Sequence, residues 1–483
     1  MTKYETVIGL EFHAELKTHS KIFCSCPTTF SNEPNINICP GCLGMPGALP
    51  VLNKKVVELA IKAGLALNCQ ISPYSQFDRK NYFYPDLPAG YQVTQLPLPV
   101  CRNGHITINA EGGGEKKVRI NRIHIEEDAG KLVHSSESIS GSSYSLPDYN
   151  RSSMPLIEIV TEPDIRSADE AKQFAEKLKL ILEYAGVSDV KMEQGSLRCD
   201  VNISLRPKGQ KELGVRSEIK NLNSFRSVHR AILYEQTRHI DMLENGDTLV
   251  QETRLWNEAS GSTQAMRTKE YAHDYRYFPD PNLAPVVIDS AWLEQVAAEL
   301  PELPDARLAR LRSQYALSDY DATQIVMIPQ LAFFFDDVIA LYPEPKTVAN
   351  WLLGDLLRLM NSGGEEIAAI PIAAESFVEL LRELKKGTIN NNSAKEVLEE
   401  MFLRGGNPAG IIKDKGFAQI SDVSMLEAAV QKVIQKHPQP AADYKNGKMQ
   451  AIGFLVGQVM KETKGQANPG LVKELLEKTL QSS

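Results

Sequence analysis

The residues of this sequence that could bind a metal ion or a phosphate group lie in short segments where polar and apolar side chains alternate. In the first of these segments Glu11, His13 and Glu15 alternate with apolar residues, and this period of two places them on one face of a β-strand. Three later segments show the same alternation, and their polar residues are Arg198, Asp200, Asn202 and Ser204, then Arg216, Glu218 and Lys220, then Glu252 and Arg254. Such segments predict a largely antiparallel sheet with one apolar and one polar face.

Two further segments place carboxylates at positions where the alternation is broken. Glu158 lies inside the otherwise apolar segment PLIEIV, and the segment RIHIEED ends in Glu126, Glu127 and Asp128. An unpaired buried carboxylate is costly, so Glu158 should have a cation, a hydrogen-bond donor or solvent beside it.

Carboxylates mixed with an imidazole suit a divalent cation, and neighbouring Lys and Arg side chains suit phosphate oxygens. The combination indicates phosphoryl transfer from Mg²⁺–ATP. The sequence contains no GxxxxGK[ST], GxGxxG, GxSxG or HExxH segment, which argues against a P-loop, a dinucleotide fold, an α/β-hydrolase and a zinc protease. The alternative is a solvated outer face of the sheet that is held together by cross-strand ion pairs.

Four of the seven cysteines form two close pairs, Cys24 with Cys26 and Cys39 with Cys42. Two such pairs separated by a short loop suit tetrahedral coordination of Zn²⁺, so residues 24–42 are predicted to form a structural zinc knuckle. The alternative is two unrelated pairs of buried cysteines. The odd number of cysteines argues against a disulfide framework.

Two more regions carry residue types that suit nucleic acid. The loop FDRKNYFYPDLPAGYQ contains four aromatic residues, Tyr82, Phe83, Tyr84 and Tyr91. They could form a platform beside a nucleotide or an aminoacyl end, or they could anchor the loop to the core. Near the C-terminus, four lysines could contact a phosphate backbone or form a solvated surface. They are Lys445, Lys448, Lys461 and Lys464.

The elements that must position these residues form an α+β protein. With 483 residues the chain should hold two to four domains. Strand signals prevail to about residue 290 and amphipathic helices follow, with capping signals at Ser167 and Ser224 predicting two earlier helices. We predict a cradle domain at 1–290, with a largely antiparallel sheet and the zinc knuckle, then a helical domain at 291–405 and a small helical tail domain at 406–483.

The composition narrows the class of protein. The net charge of −8 excludes a chain that is basic as a whole, although it allows a local basic groove. Ordinary apolar content argues against disorder. The uncharged stretch 34–53 is interrupted by prolines and glycines, which argues against a membrane span, and the N-terminus does not resemble a secretory signal. A cytoplasmic location is therefore expected.

Taken together and in order, the motifs resemble the B subunits of the bacterial-type, heterotrimeric tRNA-dependent amidotransferases. The segments that carry the resemblance are VIGLEFHAELKT, CSC with CPGC, FDRKNYFYPDLPAGYQ, IHIEEDAGK, MPLIEIVTEPD, GSLRCDVNISLRP, EIKNLNSF, QETRLW, DYRYFPDP and DYKNGKMQAIGFLVGQVMKETKGQANP. One small departure is Phe12, which stands where the family would have valine.

The resemblance implies a two-step reaction on misacylated tRNA. ATP phosphorylates the side-chain carboxylate of Glu-tRNA(Gln) or Asp-tRNA(Asn), and ammonia then displaces the phosphate to give the amide. No GGSSGG amidase segment occurs in this chain, so the ammonia is expected to come through a channel from an amidase-type A subunit, while a small C subunit holds the pair together. The alternative from another class is a non-catalytic scaffold that only presents the tRNA.

The resemblance also selects the site residues. The expected magnesium ligands are Glu11, His13 and Glu126 or Glu127, with Glu158 and Glu218 close by as further catalytic residues. The expected contacts to ATP, phosphate or substrate are Lys80, Lys131, Arg198, Asp200 and Lys220. The four lysines of the tail are expected to contact tRNA, and the cofactors are ATP, Mg²⁺ and a structural Zn²⁺.

Overall fold

The structure is a computed structural model that describes residues 3–110, 112–135, 142–268, 275–362, 369–417, 423–463 and 467–482. The chain divides into two compact units, residues 1–304 and 305–483. Strands lie in the first unit, whereas every element described in the second unit is helical. This arrangement confirms the α+β class, while the division into three domains stays a prediction.

The first unit contains all the strands of the described chain and four of its helices. The strands are β1 (Tyr4–Glu15), β2 (Gln70–Ile71), β3 (Tyr74–Ser75), β4 (Asp78–Asn81), β5 (Tyr91–Thr94), β6 (Cys101–Asn109), β7 (Glu115–Glu127), β8 (Lys131–His134), β9 (Ser145–Asp148), β10 (Pro155–Thr161), β11 (Leu197–Pro207), β12 (Ser217–Leu222), β13 (Glu252–Asn257), β14 (Ser262–Thr268), β15 (Phe278–Pro279) and β16 (Val286–Val287). The helices are α1 (Lys54–Ala66), α2 (Ala168–Tyr184), α3 (Phe225–Asn245) and α4 (Ser290–Ala298).

Nine of the strands form one sheet with the order β14-β13-β12-β11-β1-β10-β7-β6-β2. The neighbouring strands are antiparallel, apart from the parallel pair β12 and β13. Strand β1 lies at the centre, and its apolar residues, such as Phe12, pack into a core that includes Phe174 of α2 and Ile232 of α3. The opposite face of β1 is polar, so the predicted two-faced sheet is confirmed.

The helices that cover the apolar face begin where the sequence signals them. The hydroxyl of Ser167 accepts a hydrogen bond from the amide of Glu170 at the start of α2, and Ser224 caps α3 through the amide of Ser227. Gly246 ends α3 with a φ of 77°, a left-handed conformation that glycine adopts without steric cost. One face of each helix is buried against the apolar side of the sheet. This packing holds in place the strands whose opposite side is polar.

A buried ionic cluster joins α3 to strands β13 and β14. The carboxylate of Glu235 is fully buried and accepts hydrogen bonds from Arg238, at 2.7–3.0 Å, and from the Thr263 hydroxyl. The Arg254 Nε lies 3.1 Å from the same carboxylate. Burial alone would raise the pKa of Glu235, but the hydrogen bonds from His239, Arg238 and Thr263 outweigh it and lower the pKa to about 2.

We expect the Glu235→Gln substitution to lower the free energy of unfolding by about 3–5 kcal/mol, because it removes the fully buried carboxylate charge to which Arg238 and Arg254 pair and leaves these part-buried arginines to share Glu252. Since the folded-state pKa lies below the ordinary value of 4.5, this contribution is complete above pH 4.5 and is lost as the pH falls toward 2. Urea unfolding of the wild type and the variant should therefore converge over that interval. Asp241→Asn, on the exposed face of α3, is the control and should change the free energy of unfolding by less than about 0.5 kcal/mol. A difference in stability between the wild type and Glu235→Gln that persists at pH 2 would contradict the role given to the Glu235 charge.

The second unit is built from helices. They are α5 (Pro304–Tyr315), α6 (Asp319–Val326), α7 (Pro329–Leu341), α8 (Pro345–Trp351), a π-helical turn (Leu352–Leu356), α9 (Leu357–Ser362), α10 (Ala374–Lys385), α11 (Asn391–Arg404), α12 (Pro408–Asp414), α13 (Val423–Lys436), α14 (Pro438–Lys445), α15 (Ala451–Glu462) and α16 (Pro469–Ser482). The helices α13 to α16 enclose their own apolar core, which includes Leu426, Leu455 and Leu476.

Among the described residues, no single helix has the length and apolar character needed to cross a membrane. Helices α6 and α7 meet the length and composition criteria only as a pair, and they are bent by 113° at the break between them.

Candidate metal and phosphate site

The strand register brings the polar residues of separate segments into rows across the sheet. His13 of β1 lies opposite Glu158 of β10 on one side and Arg198 of β11 on the other, and Glu158 lies opposite His124 of β7. Glu11 lies opposite Asp200 in the adjacent row. Residues directly opposite each other in antiparallel strands point to the same face, so the polar face collects these side chains within a small area.

The centre of the site is a cluster of two imidazoles and two carboxylates. His13 Nε2 lies 3.5 Å from Glu126 Oε1 and 3.4 Å from Glu158 Oε2. His124 Nε2 lies 3.3 Å from the same Glu158 oxygen and 3.7 Å from Glu126 Oε2. Possible ligand atoms of His13, Glu126 and Glu158 lie within 4.8 Å of one another, and so do those of Glu11, His13 and Asp200. His13 therefore belongs to two groups that could hold a cation.

The electrostatics of this cluster depend on which charges surround each group. Burial acts to lower the pKa of His13, but its hydrogen bond to Glu158 and the charges of Glu158 and Glu126 outweigh burial and raise that pKa to about 9. His124 shows the same balance, with a pKa of about 9. Burial opposes the ionisation of Glu158, yet the two histidines hold its pKa well below the ordinary range. Without a metal ion, the protonated imidazoles thus neutralise the two carboxylates.

The positive charges near Glu11 do not offset the effect of burial on its pKa. Burial, together with the nearby negative charges of Glu158 and Asp200, raises its pKa to about 7, although His13 and Lys220 act in the opposite direction. A buried carboxylate with this surplus of negative charge around it suits a divalent cation. The donor set therefore fits Mg²⁺ through the carboxylates of Glu11, Asp200, Glu126 and Glu158, and His13 would release its proton if it became a ligand.

Basic side chains flank the cluster on the β11 and β12 side. Lys220 Nζ lies 2.5 Å from Asp200 Oδ2 and 3.3 Å from Glu218 Oε1, and Glu218 also accepts a hydrogen bond from Thr253. Arg198 donates to Asp128 at 2.9 Å, and its Nε is buried with no hydrogen-bond partner. These two cations lie on the same face as the acidic cluster, as the sequence predicts for residues that contact phosphate.

Three of the expected site residues do not lie on the polar face of the large sheet. Glu127 follows Glu126 and therefore points to the other side of β7, where its carboxylate accepts from the Val93 amide at 2.9 Å and from the Ser153 hydroxyl at 2.7 Å. Lys131 is exposed on β8. Lys80 lies on β4, outside the large sheet.

Three residues at or beside the site were not predicted from the sequence. His124 alternates with Glu126 on β7, so the period of two could have identified it. The ring of Tyr275 lies beside that of Tyr82, and the ring of Tyr277 lies beside that of Tyr275. Burial and the charges of Glu126 and Glu158 raise the pKa of Tyr277, and no local pattern in the sequence indicates this proximity.

The four cysteines of the predicted knuckle converge. Their sulfur atoms lie within 4.8 Å of one another, and the backbone amide of Cys39 donates to Cys42 Sγ at 3.1 Å. The hydrogen bond from Cys24 and the amide of Cys39 lower the pKa of Cys42 to about 5 despite its burial. Four sulfur donors at this separation fit a tetrahedral Zn²⁺ ion.

The tail lysines lie in the second unit. Lys445 ends α14, Lys461 lies near the end of α15, and Lys448 lies between the two helices; all three are exposed. Lys448 Nζ is 3.1 Å from Asp443 Oδ1. Lys464 lies outside the described residues.

Comparisons with known proteins agree with the resemblance found in the sequence. Residues 6–294 match the family described as the GatB/GatE catalytic domain, and residues 333–480 match the family described as the GatB domain. The B subunit of the aspartyl/glutamyl-tRNA(Asn/Gln) amidotransferase of Carboxydothermus hydrogenoformans is 55% identical over 476 residues, which cover 99% of this chain and 98% of that protein. The chain belongs to the family of aspartyl/glutamyl-tRNA(Asn/Gln) amidotransferase B subunits.

Two further B subunits are similar over their whole length. That of Caldanaerobacter subterraneus subsp. tengcongensis is 55% identical over 478 residues, with 99% of each chain covered. That of Moorella thermoacetica is 53% identical over 478 residues, covering 99% of this chain and all of that protein. The match to the catalytic domain contains every residue of the acidic cluster, and the match to the GatB domain contains the tail lysines.

Proposed function

We propose that this chain is the B subunit of a tRNA-dependent amidotransferase and performs both the phosphorylation and the amidation of misacylated Glu-tRNA(Gln) or Asp-tRNA(Asn). Membership of the family supports the reaction, and it supports partnership with an amidase-type A subunit, a small C subunit and tRNA. The observation that supports a place for this chemistry is the acidic cluster centred on His13. A cytoplasmic location accords with a role in translation.

The reaction needs an activated acyl group, because a carboxylate is a poor acylating agent. An oxygen of the substrate's side-chain carboxylate attacks the γ-phosphorus of ATP, and ADP leaves. The nitrogen of ammonia then attacks the carbonyl carbon of the acyl phosphate, phosphate leaves with its bond electrons, and the nitrogen loses a proton to form the amide. Catalysis of such steps depends on orienting the reactants and on neutralising the phosphoryl oxygens.

The residues of this chain divide that task. Glu11, Asp200, Glu126 and Glu158, with His13, would hold Mg²⁺, which when bound supplies positive charge to the phosphate oxygens. Lys220 and Arg198 lie beside these carboxylates and would contact phosphate or the substrate's carboxylate. Glu218 orients Lys220 at 3.3 Å. The knuckle cysteines would bind a structural Zn²⁺.

The test is ATP cleavage by the reconstituted heterotrimer, with ammonium chloride as the nitrogen source and no glutamine. Cleavage and amide formation should both require Mg²⁺ and a misacylated tRNA, and uncharged tRNA should not replace it. Comparison of Glu-tRNA(Gln) with Asp-tRNA(Asn) also identifies the preferred substrate. Tight tRNA binding without any dependent ATP cleavage would favour the scaffold alternative.

The tail lysines give a separate prediction about tRNA. We expect the triple substitution of Lys445, Lys448 and Lys461 by Glu to raise KM for tRNA at least about tenfold, since each lysine that neutralises a phosphate contributes through counterion release. KM for ATP should stay within about twofold, and the salt dependence of tRNA binding should become shallower. Lys473→Glu, on α16, is the control. Equal changes in both KM values would show that the tail lysines act on the structure instead.

A further inference from the structure

Lys80 is a half-buried ammonium group held by aromatic rings. Its Nζ lies 5.0 Å from the ring centre of Tyr275 and 5.7 Å from that of Tyr82. Within the described ranges, no carboxylate comes within 4.0 Å of this nitrogen. The cation–π attraction stabilises the ammonium group without neutralising its charge. This differs from Lys220, whose charge is already paired with two carboxylates.

The strand register directs Lys80 toward the acidic cluster. Lys80 lies opposite Gln92 of β5, so the two side chains share a face, and Tyr82 follows Lys80 by two residues. On that face, the Gln92 amide donates to the backbone carbonyl of Glu127 at 2.8 Å, and the Thr94 hydroxyl donates to Glu126 Oε2 at 3.2 Å. Lys80 therefore faces the end of β7 that carries the ligand Glu126.

The second ring is fixed by a segment from a distant part of the sequence. The side-chain amide of Asn81 donates to the carbonyls of Tyr275, at 3.3 Å, and Arg276, at 2.8 Å. Strand β15 then pairs with β4, and Arg79 Nε lies 2.7 Å from Asp280 Oδ2. The hydrogen bonds and the ion pair hold the Tyr275 ring next to Lys80, so the contact does not depend on one flexible side chain.

Tyr82 and Tyr277 carry no negative charge that could pair with the Lys80 ammonium group. Burial and the charges of four nearby carboxylates raise the pKa of Tyr82; these are Glu126, Asp86, Glu127 and Asp128. Burial and the charges of Glu126 and Glu158 likewise raise the pKa of Tyr277. Both phenols are thus neutral at pH 7. An ammonium beside so many carboxylates would form an ion pair with one of them unless it were held elsewhere, and a paired ammonium contributes less to binding an incoming anion.

We propose that Lys80 binds an anionic oxygen of the transferred phosphoryl group, and that Tyr82 and Tyr275 are positioning residues that keep its ammonium out of ion pairs with the site carboxylates. The inference rests on the proposed function and names two residues that orient one of its groups. The proposed role also gives a function to the pairing of segment 275–280 with β4, which holds Tyr275 beside Lys80.

The test compares two substitutions of the same ring in the reconstituted heterotrimer. Tyr275→Phe keeps the π face, and kcat for tRNA-dependent ATP cleavage should stay within about threefold of the wild type. Tyr275→Leu removes the face, and kcat should fall about 3- to 30-fold, as expected for a cation–π contact. KM for tRNA should change less than about twofold in both variants. The pair Tyr82→Phe and Tyr82→Leu should behave in the same way.

A double-mutant cycle identifies Lys80 as the group through which the ring acts. Lys80→Met should lower kcat about 10²- to 10³-fold, and adding Tyr275→Leu to it should cause no further loss, since the two residues form one unit. Thermal unfolding of each variant checks that the fold is kept. A loss in Tyr275→Phe equal to that in Tyr275→Leu, or a Tyr275→Leu effect that persists in the Lys80→Met background, would overturn the inference.

ATP cleavage by the wild-type heterotrimer distinguishes failure of this inference from failure of the proposed function. If the wild-type heterotrimer does not cleave ATP in response to misacylated tRNA, the proposed function fails. If it does, and Tyr275→Leu matches it in kcat, only the positioning role fails.

Discussion

Replacing Glu11 with Ala is expected to lower the rate of amide formation by about 10³-fold, the upper end of the range for removing one group that stabilises transition-state charge. Glu11 shares one possible cation site with His13 and Asp200, and no other carboxylate of β1 lies in that group. Glutaminase activity of the assembled heterotrimer should be largely retained, because the amidase chemistry is attributed to the A subunit. The measurement is the yield of Gln-tRNA or Asn-tRNA alongside glutamine hydrolysis.

A matched control uses a carboxylate elsewhere in the same sheet. Glu115 is exposed at the far end of β7 from Glu126, so Glu115→Ala should leave amide formation within about twofold of the wild type. Transamidation retained by Glu11→Ala would remove Glu11 from the catalytic residues. Equal loss of both activities would instead indicate damage to the assembly.

The second large effect is expected at the cysteine cluster. Cys42→Ser removes the one buried sulfur of the four that converge, so the zinc content should fall from about one ion per chain to well below half. The free energy of unfolding should fall by about 4 kcal/mol or more, since loss of a structural metal is one of the few single changes of that size. Metal analysis of the purified chain and chemical unfolding measure the two quantities.

Cys69→Ser provides the control because Cys69 is a half-buried cysteine outside the cluster. Its zinc content should equal that of the wild type. If the wild type binds no zinc, or if Cys42→Ser keeps its full zinc content, the four sulfurs do not form a metal site.

Local patterns predict which face of each strand carries the chemistry. The period of two correctly places Glu11 and His13 on the polar face of β1. The same rule separates Glu126 from Glu127, because consecutive residues of a strand point to opposite faces. Glu126 and Glu127 were alternative ligands on the sequence alone. In the structure Glu126 lies beside His13, whereas Glu127 accepts hydrogen bonds from the Val93 amide and the Ser153 hydroxyl.

Local sequence patterns do not predict the order and register of the strands. Strand β1 pairs with β10 and β11, which are far from it in the sequence, and a shift of one residue would have turned His13 away from Glu158. The contact of Lys80 with Tyr275 depends on a segment that pairs with β4 from almost 200 residues away. Only tertiary packing produces that proximity, so the sequence identifies Lys80 as a basic residue near the site without its aromatic partner.

The most direct test of the central claim follows the oxygen atoms of the substrate. Glu-tRNA(Gln) or Asp-tRNA(Asn) labelled with ¹⁸O in the side-chain carboxylate is converted by the reconstituted heterotrimer with ATP, Mg²⁺ and ammonium chloride, and the released phosphate is analysed by mass spectrometry. Phosphorylation of the carboxylate predicts one ¹⁸O atom in phosphate for each amide formed. Amide formation with unlabelled phosphate would show that ATP cleavage does not activate the carboxylate and would contradict the account.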